Sequence, residues 1–220
     1  MVIRYLGHSC FYISGGVSVV TDPFDGIGYP LERVKADYVL CSHDHFDHNA
    51  VNAVDYTYKM TLKSAENFLS TGYDDRFHPF EKISLDAISS YHDTENGKKR
   101  GINMIYSFTV DDVKFTHLGD LGENFSSNLV DKIGKTDVLF IPIGGNYTID
   151  YRSAKKFADN IDAKIIVPMH YKTAKSTIDV DGFENFISLC ETVNYCKQLQ
   201  ITKNDLPDEK TVYVFDTSNF

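Results

Sequence analysis

The run Asp37-Tyr38-Val39-Leu40-Cys41-Ser42-His43-Asp44-His45-Phe46-Asp47-His48 decides how this sequence is read. Its first half, DYVLCS (37–42), is an apolar run of strand length. Its second half packs three histidines and two aspartates into six residues. In an extended segment, residues two apart point the same way, so His43 and His45 can grip one ion while Asp44 and Phe46 face elsewhere. Asp47 and His48, adjacent where the chain turns, can address a second ion. That density argues against a chance polar loop. The hexapeptide holds no cysteine, which argues against a structural zinc site, since such sites favour closed, thiolate-rich ligand sets.

Outward from this run, the pattern alternates short strands with turns and then with helices. Residues 2–6, 10–14 and 17–21 read as strands, with Ser14-Gly15-Gly16 as a hairpin turn and Asp22-Pro23 ending the third. A short helix is expected over 49–54, and 55–80 reads as helix plus loop. Residues 83–91 read as a strand ending at His92, and 101–110 and 113–118 flank Asp111-Asp112 as a hairpin, with Asp120 just beyond. A helix over 125–133 stops at Gly134, and 137–143 is a strand running into Gly144-Gly145. Asp150 is the expected N-cap of a helix that buries Tyr151, Ala154, Phe157, Ala158 and Ile161. Residues 164–169 form a strand ending at His170, 182–190 a helix, and 211–215 a last strand. His43, His92, Asp120, Gly144 and His170 thus each follow a strand end, where layered α/β proteins gather ligands and catalytic groups.

Composition narrows the function classes. The 220 residues fit one domain, 1–220, able to bury about 70% of its unfolded surface without disulfide or metal staples. Twenty-two basic against 31 acidic residues leave a net charge of −9, and the longest basic run is Lys98-Lys99-Arg100. A nucleic-acid partner is therefore not expected. The apolar runs fall far short of the roughly 20 residues of a bilayer span, so no membrane partner is expected either. Cys10, Cys41, Cys190 and Cys196 form no C-x-x-C pair and read as buried thiols of a reducing compartment. With no basic-then-apolar leader at Met1-Val2-Ile3-Arg4, a cytoplasmic location is expected. The oligomeric state is not legible at this stage.

H-x-H-x-D-H after an apolar strand resembles the metallo-β-lactamase-fold superfamily. Gly7-His8-Ser9, Thr21-Asp22-Pro23, His92, Gly119-Asp120 and His170 fall in that family's order. HLGDLG (117–122), IGGNYTID (143–150) and VPMHYKT (167–173) look like a prokaryotic branch of single-domain metallo-hydrolases near the ascorbate-6-phosphate lactonase group. The resemblance covers essentially the whole chain. It implies an α/β four-layer αββα sandwich, two mixed sheets flanked by helices. It assigns His43, His45 and His92 to one metal, Asp47, His48 and His170 to the other, and Asp120 to both. Asp47 and Asp120 are then the catalytic carboxylates. In such a pair, with ions about 3.5–4 Å apart, a metal-bound hydroxide is the nucleophile, and no Ser or Cys need be catalytic. Two divalent ions, most readily zinc, with manganese or iron also suited to imidazole and carboxylate, make the site locally positive despite the net charge. The expected function is hydrolysis of a small, anionic ester-type substrate, a phosphodiester or a lactone. The alternatives are an iron-dependent redox protein of the same fold or a non-catalytic metal-binding member. Di-iron relatives usually carry an acidic residue where His45 stands and an attached flavin domain, neither of which is present in this sequence.

The remaining polar residues divide between the site and the scaffold. His8 and Asp22 read as orienting or substrate-facing residues, or as satisfied core groups. Asp44 reads as an orienter of a ligand imidazole or a solvated carboxylate. Tyr147 and Lys172 are candidate donors at the cavity mouth, a phenol and an anion contact. His117 reads as a packed histidine, His78 as a surface residue, and Lys98-Lys99-Arg100 as a solvated turn rather than a phosphate clamp. Glu123 stands where related sequences often carry a histidine, which places that histidine's role in doubt for this chain.

Overall fold

The structure, a computed structural model, describes residues 1–71 and 83–218, with the side chains of 67–71 left aside. Strands β1 (Val2–Gly7), β2 (Cys10–Ser14) and β3 (Ser18–Thr21) form an antiparallel meander around the Gly15-Gly16 turn. Strands β4 (Val34–Leu40) and β5 (Val54–Met60) extend it in parallel. After helix α1 (Leu62–Thr71), β6 (Leu85–Tyr91), β7 (Ile102–Val110) and β8 (Val113–His117) make a second antiparallel meander. Helices α2 (Ser127–Ile133) and α3 (Tyr151–Asn160) then alternate with β9 (Val138–Pro142) and β10 (Ile165–Met169). Helix α4 (Glu184–Ile187), β11 (Val193–Cys196), β12 (Leu199–Gln200) and β13 (Thr211–Phe215) complete the described chain.

Two mixed sheets result, one ordered β12-β1-β2-β3-β4-β5 and the other β11-β13-β10-β9-β8-β7-β6. They face each other across the main core, flanked by few helices, as in an αββα sandwich. Phe11 of the first sheet meets Phe140 of the second with ring centroids 4.2 Å apart, and both are fully buried. Truncating such a ring to alanine costs about 3–5 kcal/mol. Strands β9 and β10 are buried along their whole length, the pattern of parallel strands covered on both faces. On the far side of the first sheet, Phe24, Ile27 and Tyr29 pack with Leu6, Val20 and Val39 in a second cluster.

The local elements follow their sequence signals where those are strong. Asp150 caps α3 by accepting from the Ser153 amide at 2.8 Å, and Ala154, Phe157, Ala158 and Ile161 are buried beneath it, with Tyr151 half-buried. Ser126 caps α2 and Gly134 ends it with φ 63°.

Elsewhere the structure corrects the expectation. The helix expected over 49–54 is a single 3-10 turn, Val51–Ala53, and the chain then enters β5. That strand was masked by charge and polarity on an exposed edge, although Val54, Tyr56, Tyr58 and Met60 keep the period of two. The helix expected over 182–190 is helical only at Glu184–Ile187. Its ladder then tightens, with Leu189 and Cys190 donating three residues back to Phe186 and Ile187. Strands β11 and β12 are only four and two residues long, too short to show a strand period. Cys10 and Cys41 are buried as expected, but Cys190 and Cys196 are only half-buried, and all four are free thiols.

The topology places the site. In the first sheet β1, β3 and β4 run in one direction, and in the second so do β6, β8, β9 and β10. Every strand end singled out in the sequence therefore opens on one edge of the sandwich. Bonds between the sheets close that edge. The His170 amide donates to the His8 carbonyl at 2.9 Å, and the Met104 amide to the Ser42 carbonyl at 2.8 Å. The Tyr106 hydroxyl donates to the Cys41 carbonyl at 3.0 Å.

Candidate metal centre

The exits from the strands are strained and tightly packed. His8, Asp22 and His170 have left-handed backbones, with φ of 56°, 39° and 54°. Such a conformation costs a residue with a Cβ about 1–2 kcal/mol and is held only where its surroundings over-determine it. Gly122 lies so close to the backbone of His92 that a Cβ would sit 2.4 Å from its carbonyl carbon. Only glycine lets the strand ends bearing His92 and Asp120 approach in this way.

Asp120 is the hub. Its Oδ2 lies 3.2 Å from Nε2 of His48, His92 and His170, and 3.8 Å from Nε2 of His43. On one side His43, His45 and His92 cluster; on the other Asp47, His48 and His170 cluster with His8. The turn after β4 produces the second set, because the His48 amide bonds the His45 carbonyl at 3.0 Å and folds Asp47 and His48 back.

Buried polar neighbours aim these groups. Asp22 accepts from the Ser42 amide and hydroxyl, both at 2.7 Å, and from His48 Nδ1 at 2.9 Å, which turns the His48 Nε2 edge toward Asp120. With its proton committed to Asp22, the Ser42 hydroxyl accepts from His43 Nδ1 at 2.9 Å. Asn103 accepts the Asp120 amide at 2.8 Å while donating to Ser90 and the Leu118 carbonyl. His8 is buried, with Nε2 3.2 Å from Asp47 Oδ2. His117 is a satisfied core histidine, its Nε2 bonding the Ser9 carbonyl and its Nδ1 accepting the Gly119 amide.

The protonation balance suits cation binding. Burial, reinforced by His48, holds the His43 imidazole well below its ordinary pKa, and burial with His92 lowers His45. Burial and His170 bring His8 down to about 4. Burial opposes ionisation of Asp120, but His170, His48 and His92 outweigh it and hold the carboxyl well below the usual range. His48 is the exception: burial lowers it, yet Asp120 and Asp22 raise it well above the ordinary value. Neutral imidazoles around ionised carboxylates are the state in which these groups ligate. Several of their atoms also lack partners. Nε2 of His43 and His48, Nδ1 of His92 and His170, and Oδ1 of Asp120 are buried with no hydrogen bond among the described residues. Buried polar atoms are seldom left so, and a cluster of imidazole and carboxylate donors fits divalent metal.

The Beta-lactamase superfamily domain model matches residues 2–170. The chain belongs to the metallo-β-lactamase superfamily. It is similar to a UPF0173 metal-dependent hydrolase of Thermoplasma volcanium, 30% identical over 189 residues that cover 78% of this chain and 83% of the relative. A counterpart from Archaeoglobus fulgidus is 28% identical over 197 residues, covering 79% and 84%. In three dimensions it is similar to a Thermotoga maritima protein described as a candidate Zn-dependent hydrolase of the superfamily. The two share 29% identity and a TM-score of 0.73 over 97% of each chain. The protein is thus a metal-dependent hydrolase.

The hydrolase's seven candidate ligands, scattered over 128 positions of chain from His43 to His170, converge around one carboxylate. They open on a cavity of about 520 Å³, lined by residues that include Phe46, Asp47, Arg100, Asp120, Tyr147 and Ile178. Asp44 also lines it but is exposed and bonds Asn49 at 3.4 Å, so it is a solvated carboxylate and orients no imidazole. Tyr147 reaches the cavity wall as expected. Lys172 does not line the cavity; its ammonium donates to the Ser176 and Ile178 carbonyls at 2.7 and 2.9 Å, stapling the loop that carries Ile178. Glu123 accepts the Tyr91 amide at 3.2 Å, supporting the end of β6. Lys98 and Lys99 are solvated as read, but Arg100 is half-buried and lines the cavity, which corrects the reading of that triplet. His78 lies outside the described residues. Sequence reasoning missed Ser42, Asp93, Asn103 and Arg100. Asn103 had a signal, an amide side chain inside the apolar strand INMIYSF.

Proposed function

We propose that this hydrolase is a dinuclear enzyme that cleaves a small, anionic ester-type substrate, a phosphodiester or a lactone. His43, His45 and His92 would hold one divalent ion, Asp47, His48 and His170 the other, and Asp120 both, with zinc the first choice of metal. The observation that carries the reading is the pair of donor groups beside Asp120, His43, His45 and His92 in one and Asp47, His48 and His170 with His8 in the other. Bound at such a pair, divalent ions would supply a water made acidic enough to attack at neutral pH and positive charge against the oxygens that become negative as the ester is cleaved.

The chain's own residues do the rest. Asp22 and Ser42 hold His48 and His43 in the tautomers that leave Nε2 free. Asn103 fixes the backbone of Asp120, so its carboxylate does not have to be reoriented when the site is filled. The cavity of about 520 Å³ has room for a small molecule beside the donors.

The test is elemental analysis of protein purified without chelator, followed by assays on bis(4-nitrophenyl) phosphate and on a simple lactone with the metal found. Two equivalents of metal per chain and turnover of one of these esters are expected. One equivalent, or a His48→Ala variant that keeps both metal content and turnover, would overturn the reading.

A further inference from the structure

Of the basic triplet Lys98-Lys99-Arg100, the structure sends a single member to the metal-centre cavity. Lys99 pairs with Glu95 at 2.5 Å on the exposed surface, and Lys98 is exposed. Arg100 is the one lysine or arginine among the described residues that line the cavity. Its guanidinium has no carboxylate partner among the described residues and lies over the ring of Tyr147, 5.4 Å from the centroid. A cation held against an aromatic face, facing a cavity and left without a counter-ion, is arranged for an anion that arrives with the ligand.

Both members are fixed in place. Asp93, only 4% exposed, follows His92 directly and accepts four backbone amides of the loop. Glu95 and Gly97 donate to its Oδ1 at 2.8 and 3.0 Å, and Lys99 and Arg100 to its Oδ2 at 2.9 and 2.8 Å. The His92 amide closes the loop on the Gly101 carbonyl at 3.1 Å. Arg100 is therefore referenced to a candidate metal ligand through a rigid turn. Tyr147 stands on the tight turn 145–149, which the Ile149 amide ties to the Leu121 carbonyl at 2.8 Å, one residue from Asp120. Phe46, 61% exposed, and Ile178 give the same cavity an apolar wall, while Asp44 and Asp47 put negative charge on the side of the histidine hexapeptide.

We propose that Arg100, braced by Tyr147, recognises a second anionic group of the substrate, a carboxylate or phosphate separated from the scissile ester by a short hydrocarbon body. The inference rests on the ester-hydrolase reading above and deepens it, because it names a group remote from the bond that is cleaved. A planar guanidinium binds such oxyanions in a two-pronged fashion that an ammonium does not reproduce.

The test measures binding and turnover separately on the metal-loaded protein. By calorimetry, succinate, glutarate and adipate are compared with butyrate, which has one carboxylate. In wild type at least one of the three is expected to bind about 10-fold tighter than butyrate, the effect of one added charge-assisted pair. In Arg100→Gln that preference should fall to about one, with metal content as in wild type; Arg100→Lys should recover only part of it. A preference that is absent in wild type, or that survives in Arg100→Gln, overturns the proposal. In parallel, 4-nitrophenyl hemisuccinate and 4-nitrophenyl butyrate are assayed as esters with and without the remote carboxylate. If wild type turns over neither, the ester-hydrolase reading suffers while the binding result still decides the role of Arg100. If both are cleaved, a preference in kcat/KM for the hemisuccinate that persists in Arg100→Gln counts against Arg100 alone.

Discussion

On one side of Asp120, buried Asp22 grips buried His48 at Nδ1, and buried His8 meets the half-buried Asp47. On the other, His43 leans on a serine hydroxyl and His45 stands exposed at the cavity edge, while His92 Nδ1, like His170 Nδ1 on the first side, has no partner among the described residues. The two halves of the donor ring differ in support. A carboxylate braces an imidazole more strongly than a hydroxyl does, because the hydrogen bond is charge-assisted. On the dinuclear reading, the Asp47/His48/His170 half is the rigid seat, and the His43/His45/His92 half is the side that meets solvent and substrate.

Four substitutions test this asymmetry. Asp120→Ala removes the group shared by both halves and is expected to bring metal content below one equivalent and turnover to background; full retention of both ions would dissolve the comparison itself. Asp22→Asn should lower affinity in the His48 half by about 10–100-fold, as loss of a ligand's hydrogen-bond partner commonly does. Competition with a chromophoric chelator measures it, and an equal loss from both halves would contradict a separate brace. Ser42→Ala should cost less, about 10-fold at most and mainly in the His43 half. A larger loss than in Asp22→Asn would reverse the ranking of the two supports. Asp44→Asn, on a solvated carboxylate, should change metal content by less than about twofold, within the small range of surface substitutions.

The legible part of the site was its donor atoms. HDHFDH gathers three imidazoles and two carboxylates within six residues, and His92, Asp120 and His170 each stand at the end of a readable strand. What stayed illegible was the pairing of the supports. Asp22 is readable as an orienting residue, but which imidazole it holds is not, because its bond to His48 spans 26 residues of sequence. Asn103 lies 17 residues from the Asp120 amide it accepts. Arg100 looked like part of a solvated turn because nothing local distinguishes it from Lys98 and Lys99; the Asp93 clasp and the Tyr147 ring select it. Lys172 erred in the opposite direction, a loop-tip cation spent on two backbone carbonyls. In the fold, buried parallel strands were readable from continuous apolar runs, whereas the edge strand β5 was not, because an edge leaves one face and half its ladder to solvent.

The sequence by itself determined the chemistry on offer: imidazoles and carboxylates gathered at strand ends in a chain of net charge −9. Those properties depend on residue type and local period, which a linear string contains. Only the tertiary structure decided which atoms meet. The parallel running of β1, β3 and β4 beside β6, β8, β9 and β10 brings seven strand ends to one edge. There, contacts between residues far apart in the chain orient the His48 ring and select the hub carboxylate and, among the described residues, the single arginine that faces the cavity. Hydrogen bonds act over about 3 Å and are indifferent to sequence separation, so their partners emerge only when the sheets have closed on one another.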